Sequence, residues 1–582
     1  MDKFSNNLAV RALNHWRNYS IPTYLGLRIL LLQVPKSESS NFLTEYLINK
    51  LPLRQSGRYR HFPRFKGFSS SGDTEYRDMY AASPSTALAE AYTLSILEQV
   101  PALQNNECVY SYLWPTSRTA GRSFTYFYSG YSDRNARISK LLKQNTNFFV
   151  VSNDIKKFYP TIGQQIVLKI LSEHLDSIKE TKYYDFIVNT CHQLLSCTNK
   201  GIPIGPALSH VLANLVLEPV DNEMHSQLKG RYFRYVDDIL MVLEEEEVST
   251  MQKKLENILN EQGFHLNADK KDKVSASDWL DNLFNSEESF MSQQFDELSN
   301  RIHLYLWNEP SNKKALADSF KEEGIAMPIQ RFAINALYGR YQRYMKYLVK
   351  MDTTNMYRIL IANLKHENTH TIMSDTSYLY NRFYEIGSRI QIETDYNHQL
   401  VKKLQIQRLR YFLNRLIYLT PYVDYKKLLD ITPNIVEFYE YRSLINSLII
   451  KSVSELIKIP GPAISTFASV FQELALGKIE LNTAQIDYQI MLDSLATLSA
   501  FGIFEPPGDW IERLIPKDKE YINFCMFTPL SSRALKDFSY EDELRALQIN
   551  VDATLRQVLM TTRFSDDEGI NLDALLVSAY GY

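Results

Sequence analysis

The sequence predicts an α+β domain followed by an all-α region. From about residue 146 to 245, strand-like runs such as NFFVVSND and RYFRYVDD alternate with the helix-like runs GQQIVLKILSEHL, KYYDFIVNTCHQLLS and ALSHVLANLVLEPVDNEMHSQL, and this mixture is typical of an α+β domain. After about residue 285 the strand-like alternation fades, and long helical patterns separated by prolines dominate. We therefore expect an N-terminal helical segment over 1–55, an α+β domain over 56–285 and an α-helical, repeat-like domain over 286–582.

The overall composition is that of an ordinary globular protein. The 582 residues are 45% hydrophobic and 23% charged, with a net charge of −3, which neither marks nor excludes a nucleic-acid binder. The four cysteines form no CxxC pair, so we expect reduced thiols in the cytoplasm rather than a zinc site or a disulfide framework. No run approaches the roughly 18 apolar residues that cross a bilayer, so we expect no membrane association.

The elements ahead of residue 146 are predicted from shorter patterns. LAVRALNHWRNY has helical spacing, whereas RQSGRYRHFPRFKGFSSSGDTEYR mixes positive, aromatic and small residues and predicts a loop-rich segment. That segment suits a surface that contacts phosphates and stacks on bases; the alternative is a solvated loop packed by its own aromatic rings. PSTALAEAYTLSILEQV predicts an amphipathic helix over 84–100, and alternation over 107–130 predicts a hairpin.

Two adjacent acids interrupt an apolar hairpin in RYVDDILMV. YFRYV and ILMVL are strand-like, which places Asp237 and Asp238 at a tight turn, and Asp154 closes the earlier apolar strand NFFVVSND. Alone, the pair suits an ordinary aspartate-bearing turn, but neighbouring charges inside apolar surroundings cost free energy unless a cation compensates them. Converging carboxylates suit Mg²⁺ or Mn²⁺, and two such ions can activate a hydroxyl and stabilise a leaving pyrophosphate. We therefore predict a catalytic metal centre at Asp154, Asp237 and Asp238.

The segment between these acids, CTNKGIPIGPALSHVL, predicts a constrained loop before a helix. Gly205 permits close backbone approach to a ligand, Ser209 starts or caps the helix, and a helix N-terminus attracts anionic groups. The loop therefore suits contact with a nucleotide and a template. A plain loop before a helix is the alternative for this segment on its own.

In this order, DIKKFYPTI, GIPIGPALS and YVDD resemble the first three palm motifs of the reverse transcriptases, and GFHLNADKKDKV resembles the fourth. The resemblance covers about residues 60–285 and implies a right-hand polymerase palm and fingers that add dNTPs to a DNA end. Retron and group II intron enzymes have similar motifs. The GIPIGP wording, the helical C-terminal half and the lack of a maturase or zinc segment resemble more closely the abortive-infection, defence-associated reverse transcriptases of bacteria.

The resemblance also implies roles for single residues. Asp154 and Asp237 match the metal-binding acids, Asp238 matches a less direct ligand, and Ile155 would offer its backbone carbonyl to a metal. Tyr159 matches an aromatic steric gate that collides with a ribose 2′-OH and so favours dNTPs; core packing is its alternative role.

Other positions match parts of the nucleotide site. Lys270 matches a lysine that neutralises or protonates the leaving pyrophosphate, with a solvated lysine as the alternative. Arg122, Arg134 and Arg118 are candidates for binding the triphosphate. The remaining predicted nucleotide contacts are Phe158, Ile204, Gly205, Ser209 and Tyr235.

The sequence departs from templated reverse transcriptases at two motif positions, and no RNase H domain is recognisable. Ile204 replaces the usual glutamine of the second motif, and Lys271 replaces the usual threonine of the fourth. The abortive-infection relatives make DNA without an obvious template, can begin from a protein hydroxyl and assemble as homo-oligomers. The resemblance therefore implies untemplated, protein-primed synthesis with DNA attached to the protein, although the sequence does not single out a priming residue among 38 tyrosines.

Three functions stay open at this point. The first is an untemplated DNA polymerase serving anti-phage defence. The second is a conventional RNA-templated, retron-like enzyme with an RNA partner, against which Ile204 and the long helical half count. The third is a helical scaffold with an idle polymerase fold, against which the intact acids Asp154, Asp237 and Asp238 count.

Overall fold

The structure is a computed structural model. The residues that it describes are 2–32, 58–116, 121–125, 127–283, 286–332, 368–392, 398–481, 487–528, 539–548 and 559. None of the helices within these ranges has the length and apolar character needed to cross a bilayer.

The N-terminal part consists of two helices and a long hairpin. Helix α1 spans Asp2–Tyr19 and α2 spans Ile21–Leu32, as the helical spacing predicts. Strands β1 (Tyr59–Phe68) and β2 (Thr74–Ala82) form an antiparallel hairpin. The prediction of a loop-rich segment here was wrong, because most of the segment lies in two paired strands.

The next two elements correct the sequence analysis in detail. Helix α3 (Pro84–Leu97) forms where a helix is predicted, but all of its residues are buried, so it is a core helix rather than an amphipathic one. The described residues of the range 107–130 contain no strand of the predicted hairpin: Val109 makes an isolated parallel bridge to Arg234, and helix α4 begins within the range, at Phe127–Gln144.

A four-stranded antiparallel sheet forms the centre of the α+β part. Its strand order is β4-β5-β3-β6, and adjacent strands pair in antiparallel fashion throughout. The strands span Phe149–Asp154 (β3), Tyr232–Tyr235 (β4), Asp238–Leu243 (β5) and Asp272–Ser275 (β6). The three apolar runs that were predicted as strands around the acids are therefore confirmed.

Helices connect these strands, and one more follows β6; helical spacing predicts those that begin at Gln164, Lys182 and Ala207. They are α5 (Phe158–Thr161), α6 (Gln164–His174), α7 (Lys182–Leu195), α8 (Ala207–Val216), α9 (Glu218–Leu228), α10 (Glu245–Glu261) and α11 (Ala276–Asp281). The single helical run predicted from ALSHVLANLVLEPVDNEMHSQL is divided into α8 and α9 at Leu217, just ahead of Pro219, because proline lacks the N–H that a continuous helix requires.

The described residues after 285 are helical and contain no strand. Their helices are α12 (Ser286–Asn308), α13 (Asn312–Glu322), α14 (Thr369–Arg389), α15 (Gln399–Leu419), α16 (Tyr425–Ile431), α17 (Tyr439–Ile450), α18 (Pro462–Glu473), α19 (Tyr488–Ala500), α20 (Gly508–Glu512), α21 (Pro516–Cys525) and α22 (Tyr540–Leu547). Chain neighbours such as α14 and α15, or α17 and α18, pack on one another. For the described residues the expected all-α character is confirmed, and a repeat-like stacking of the helices remains a prediction.

The last helices pack back against the N-terminal part, through the basic segment that was predicted to contact phosphates. Arg58 forms an ion pair with Glu543 (2.9 Å). Arg60 forms an ion pair with Asp518 (2.7 Å) and a second one with Glu541. Because acids of α21 and α22 already neutralise these two arginines, Arg58 and Arg60 are structural residues rather than phosphate ligands.

Candidate active site

The three predicted acids meet at one end of the four-stranded sheet. Strand β3 ends at Asp154, whose cross-strand partner is Asp238, the first residue of β5. Asp237 lies in the two-residue turn that precedes β5, and its carbonyl oxygen accepts a hydrogen bond from the backbone N–H of Ile155 (3.3 Å). Antiparallel pairing therefore places side by side two acidic segments that are far apart in the sequence.

A buried ion pair holds this turn from beneath. Arg234 donates Nε and Nη2 to the two carboxylate oxygens of Asp221 (2.7 Å each) and Nη1 to the carbonyl oxygen of Val236 (2.9 Å). Val236 has a φ of 58°, which is unfavourable for a β-branched residue, and its N–H donates to Ser111 Oγ (2.9 Å). The bonds to Val236 therefore fix a strained turn that presents Asp237.

The electrostatic surroundings of the two turn acids differ. The pKa of Asp237 is raised to about 6, mainly by burial and further by the nearby negative charges of Asp238 and Asp154. Burial also disfavours the charged form of Asp238, but nearby cations, with Lys403 first among them, hold its pKa below the ordinary value. Asp237 is therefore the turn acid whose negative charge is less well compensated.

Two lysines contact the remaining acids. Lys270 Nζ lies 3.0 and 3.1 Å from the two carboxylate oxygens of Asp154. The short segment before Lys270 is tied to the end of β3, because the N–H of Asn267 donates to the carbonyl oxygen of Asp154 (2.8 Å). Lys403, from the second turn of α15, forms an ion pair with Asp238. Lys270 was among the predicted residues, but nothing in the motifs pointed to Lys403.

The acids suit a divalent cation, although their side chains are not arranged as a complete metal site in this structure. Among the described residues, no three His, Cys, Asp or Glu side chains are gathered closely enough to hold a metal ion; Asp154 and Asp238 are engaged by lysines instead. All three side chains offer hard oxygen ligands at one end of the sheet. The pKa of Asp237 is raised because negative charges gather around it, and a bound cation would neutralise them. Asp154, Asp237 and Asp238 would hold Mg²⁺, which would polarise phosphate and lower the pKa of an attacking hydroxyl; a contact from the Ile155 carbonyl remains a prediction.

The glycine loop is tied closely to two other segments of the chain. Gly205 has a φ of 120°, and a Cβ atom there would lie 2.5 Å from the carbonyl oxygen of Tyr80. The N–H of Tyr80 donates to the carbonyl oxygen of Ile204 (2.8 Å), and a ring N–H of His15 on α1 donates to the carbonyl oxygen of Gly205 (2.8 Å). The glycine was expected to admit a ligand, but in this structure it admits the backbone of β2.

Two predicted nucleotide contacts belong to the core. Phe158 is 3% exposed and packs edge to face on Phe264 with a centroid distance of 5.5 Å. Ser209 is fully buried and is the third residue of α8, which follows Pro206, so it neither starts nor caps that helix. The structure therefore does not support nucleotide contact by either side chain.

Tyr159, the predicted steric gate, is half-buried and hydrogen-bonded. Its hydroxyl lies 2.6 Å from Nδ1 of His210, whose ring stacks on Tyr112 with a centroid distance of 3.8 Å. Burial, followed by the negative charge of Asp237, raises the pKa of Tyr159 well above its ordinary value, so the phenol stays neutral beside the acids. The motifs did not identify His210 or Tyr112, because neither occupies a matched position.

Tyr235 and Arg134 lie together on the other side of the turn. Tyr235 is 7% exposed and Arg134 is 2% exposed. The guanidinium carbon of Arg134 lies 4.4 Å from the ring centroid of Tyr131 and 5.6 Å from that of Tyr235. Because Arg134 is buried among these rings, the prediction that it reaches out to a triphosphate is not supported; its charge acts on Asp238 instead.

The other two candidate arginines are Arg122 and Arg118. Arg122 lies in the 121–125 segment, which is held to α1 by a hydrogen bond from Asn14 Nδ2 to the carbonyl oxygen of Gly121 (2.7 Å). A triphosphate contact for Arg122 stays a prediction. Arg118 lies outside the described residues.

An antiparallel sheet that brings a strand-end carboxylate beside a two-acid hairpin turn defines a polymerase-type palm. Comparison with known families agrees with this class. Residues 94–303 match the family described as reverse transcriptase (RNA-dependent DNA polymerase). The chain thus contains a segment that is similar to reverse transcriptases, and the three acids lie within it.

Among solved structures, the chain is similar to telomerases of two Candida species. The apo telomerase of Candida tropicalis truncated from its C-terminal domain shares 13% identity with a TM-score of 0.26, over 41% of this chain and 54% of that chain, so this chain spans about half its length. The apo telomerase of Candida tropicalis shares 12% identity with a TM-score of 0.28, over 72% and 71%. For the Candida albicans telomerase in complex with a TWJ fragment of telomeric RNA, the values are 10%, 0.27, 68% and 70%. No curated protein matches the sequence.

Proposed function

We propose that the chain is a metal-dependent DNA polymerase of the reverse transcriptase type that uses dNTPs and Mg²⁺ or Mn²⁺. The observation that carries this proposal is the cross-strand pairing of Asp154 with Asp238, with Asp237 in the adjacent turn. Carboxylates in this arrangement can hold ions that activate an attacking hydroxyl and stabilise a leaving pyrophosphate. Lys270, beside Asp154 and 60% exposed, can offset charge on the leaving group.

The finer proposal is untemplated, protein-primed synthesis. Ile204 is partly buried against the hydrophobic core, and its carbonyl oxygen is bonded to β2. The position where templated relatives have an amide therefore offers an aliphatic side chain that packs inward. Tyr46, Tyr580 and Tyr582 are candidate primers in this proposal, and they lie outside the described residues.

The biological setting in this proposal is anti-phage defence by abortive infection in the bacterial cytoplasm. It rests on the resemblance of the motifs to the defence-associated reverse transcriptases. The same resemblance supports DNA attached covalently to the protein and assembly as a homo-oligomer.

RNA-templated synthesis with an RNA partner is a second candidate. The observation that favours it is the description of the matching family as RNA-dependent DNA polymerases. The two candidates differ in whether an added template is needed, so one assay separates them.

The assay supplies the purified full chain with Mg²⁺ and each labelled dNTP, without nucleic acid. Label that stays with the protein and is released by DNase supports protein-primed synthesis. Incorporation only after an RNA template and primer are added supports the second candidate. Asp154→Ala and Asp237→Ala should abolish incorporation under either set of conditions.

The control is Asp78→Ala, which removes a carboxylate that is 79% exposed and paired with His61 on the β1–β2 hairpin. This variant should incorporate label as the wild type does. Wild-type incorporation by Asp154→Ala or Asp237→Ala would rule out the site.

A further inference from the structure

The helical half of the chain reaches the acid turn through the start of α15. Leu400 N–H donates to a carboxylate oxygen of Asp272 on β6 (2.8 Å), and Nδ1 of His398 lies 3.1 Å from the other oxygen. An edge-strand carboxylate therefore caps a helix that lies outside the matched range 94–303.

Apolar contacts reinforce this docking. Leu400, Val401 and Leu404 belong to the same buried cluster as Tyr235 and Leu240, which lie on the strands that flank the acid turn. Helical spacing places residues three and four positions apart on one face. The anchoring of Leu400 and Leu404 therefore fixes the direction in which the residue at position 403 projects.

That residue is Lys403, and its ammonium group is paired with Oδ2 of Asp238. Its side chain is 38% exposed and that of Asp238 is 20% exposed, so the contact lies at the mouth of the site rather than in the core. The preceding lysine points elsewhere, since Lys402 is paired with Glu437 at 2.7 Å. The two adjacent lysines thus differ in only one relevant respect, which is contact with an acid of the site.

We propose that Lys403 is a positioning residue of the polymerase site, through which the helical half competes with divalent cations for Asp238 and sets the metal affinity of the acid turn. This inference rests on the proposed metal centre. An ammonium group and a metal ion that share one carboxylate repel each other, and the ammonium must leave Oδ2 before a metal can use that oxygen. Its permanent tether to α15 keeps the competitor at high local concentration.

The test measures Mn²⁺ binding to the full chain without nucleotide, by the electron paramagnetic resonance signal of free Mn²⁺. Lys403→Met keeps a side chain of similar length without the charge and should tighten binding about five- to tenfold, since one nearby positive charge is removed from a partly screened site. Lys403→Arg, which keeps the charge, should bind within about twofold of the wild type.

Two further variants make the result specific. Lys402→Met, the matched control on the same helix, should leave Mn²⁺ affinity unchanged. In an Asp238→Asn background, Lys403→Met should have no further effect, because the shared carboxylate is already gone.

Unchanged or weaker Mn²⁺ binding by Lys403→Met would overturn the inference, as would an equal gain in Lys402→Met. Failure of the proposed metal centre looks different. In that case the wild type would bind no Mn²⁺, or its binding would survive in Asp154→Asn and Asp237→Asn.

Discussion

Two groups of charged side chains meet at the β4–β5 hairpin, and their charges are compensated to different degrees. Below the turn, Asp221 receives two hydrogen bonds from Arg234 at 2.7 Å and a third from the Tyr232 hydroxyl at 3.0 Å. At the turn, Asp237 lies beside two further carboxylates, which contribute with burial to raising its pKa to about 6. The lower acid is fully neutralised inside the fold, whereas the upper one keeps negative charge available.

The difference between Asp221 and Asp237 separates a structural acid from a functional one by how completely its charge is compensated. A buried ion pair tolerates burial because every polar atom has a partner. Clustered carboxylates without equivalent partners destabilise the folded state and persist where a ligand is to be bound. The Arg234–Asp221 pair also serves the turn above it, since the same guanidinium fixes the Val236 carbonyl.

The largest expected effect separates the two acids by function. Asp237→Asn removes a proposed metal ligand and should lower dNTP incorporation at least about 1,000-fold, since metal ligation contributes several kcal/mol to transition-state stabilisation. The same change removes repulsion with Asp238 and Asp154, so the free energy of unfolding at pH 7 should stay equal or increase. Single-turnover incorporation and urea unfolding of the same preparation check both parts. A loss of stability comparable to that of an Arg234 variant would break the comparison.

The next effect is on stability. Arg234→Met leaves Asp221 as a buried, uncompensated carboxylate and should lower the free energy of unfolding by about 3–5 kcal/mol. Equilibrium unfolding in urea measures it. The double variant Arg234→Met/Asp221→Leu should recover much of the loss, because the stranded charge is gone. Equal destabilisation in the single and double variants would show that the bonds from Arg234 to Val236 and Asn214, rather than the ion pair, make the main contribution.

Local patterns predicted the strands and the acids, since Asp154, Asp237 and Asp238 each follow or precede an apolar, strand-like run. Contacts between distant segments were not predictable in the same way. Lys403 is one lysine among many until α15 docks on Asp272, and the arginines Arg58 and Arg60 looked like phosphate ligands until helices near residue 540 supplied their acids. A motif records which residues are near in sequence, whereas partners that neutralise charge arrive through tertiary packing.

A third acid, Glu90, differs from both Asp221 and Asp237 in how its protonation makes stability depend on pH. Glu90 on α3 is 1% exposed and accepts hydrogen bonds from the Tyr59 hydroxyl at 2.6 Å and from the backbone N–H groups of Ala207 and Leu208. Burial raises its pKa to about 8. Between its ordinary pKa and about 8, the folded chain holds a proton that the unfolded chain releases, so this residue makes stability fall as pH rises.

Glu90→Gln should remove that pH dependence. The stability of the variant relative to the wild type should increase from pH 5.5 to 7.5, by at most about 1.4 kcal/mol per pH unit. Urea unfolding at three pH values measures the trend. A difference between the two proteins that is constant with pH would mean that Glu90 is ionised in the fold, as a structural acid with an adequate partner would be.

The smallest expected effect concerns the hydroxyl that links the site to α8. Tyr159→Phe keeps the ring of the proposed steric gate and removes its bond to His210. A neutral hydrogen bond contributes about 1 kcal/mol, so the preference for dNTPs over NTPs, as the ratio of the two kcat/KM values, should fall about two- to fivefold. His210→Phe, which keeps an aromatic ring beside Tyr112, should give a similar ratio. The ratio of the double variant should fall no further, because each single change already removes the same hydrogen bond.

These variants distinguish the position of the Tyr159 ring from its bulk as the cause of the preference for dNTPs. If the ring alone excludes a ribose 2′-OH, Tyr159→Phe keeps the wild-type ratio and only Tyr159→Ala loses it. If the bond to His210 fixes where the ring lies, the two single variants shift the ratio together while the KM for dNTPs changes little. The buried surroundings of His210, which is 5% exposed, favour the second outcome, because a ring held in the core is a rigid anchor for a half-buried side chain beside the acids.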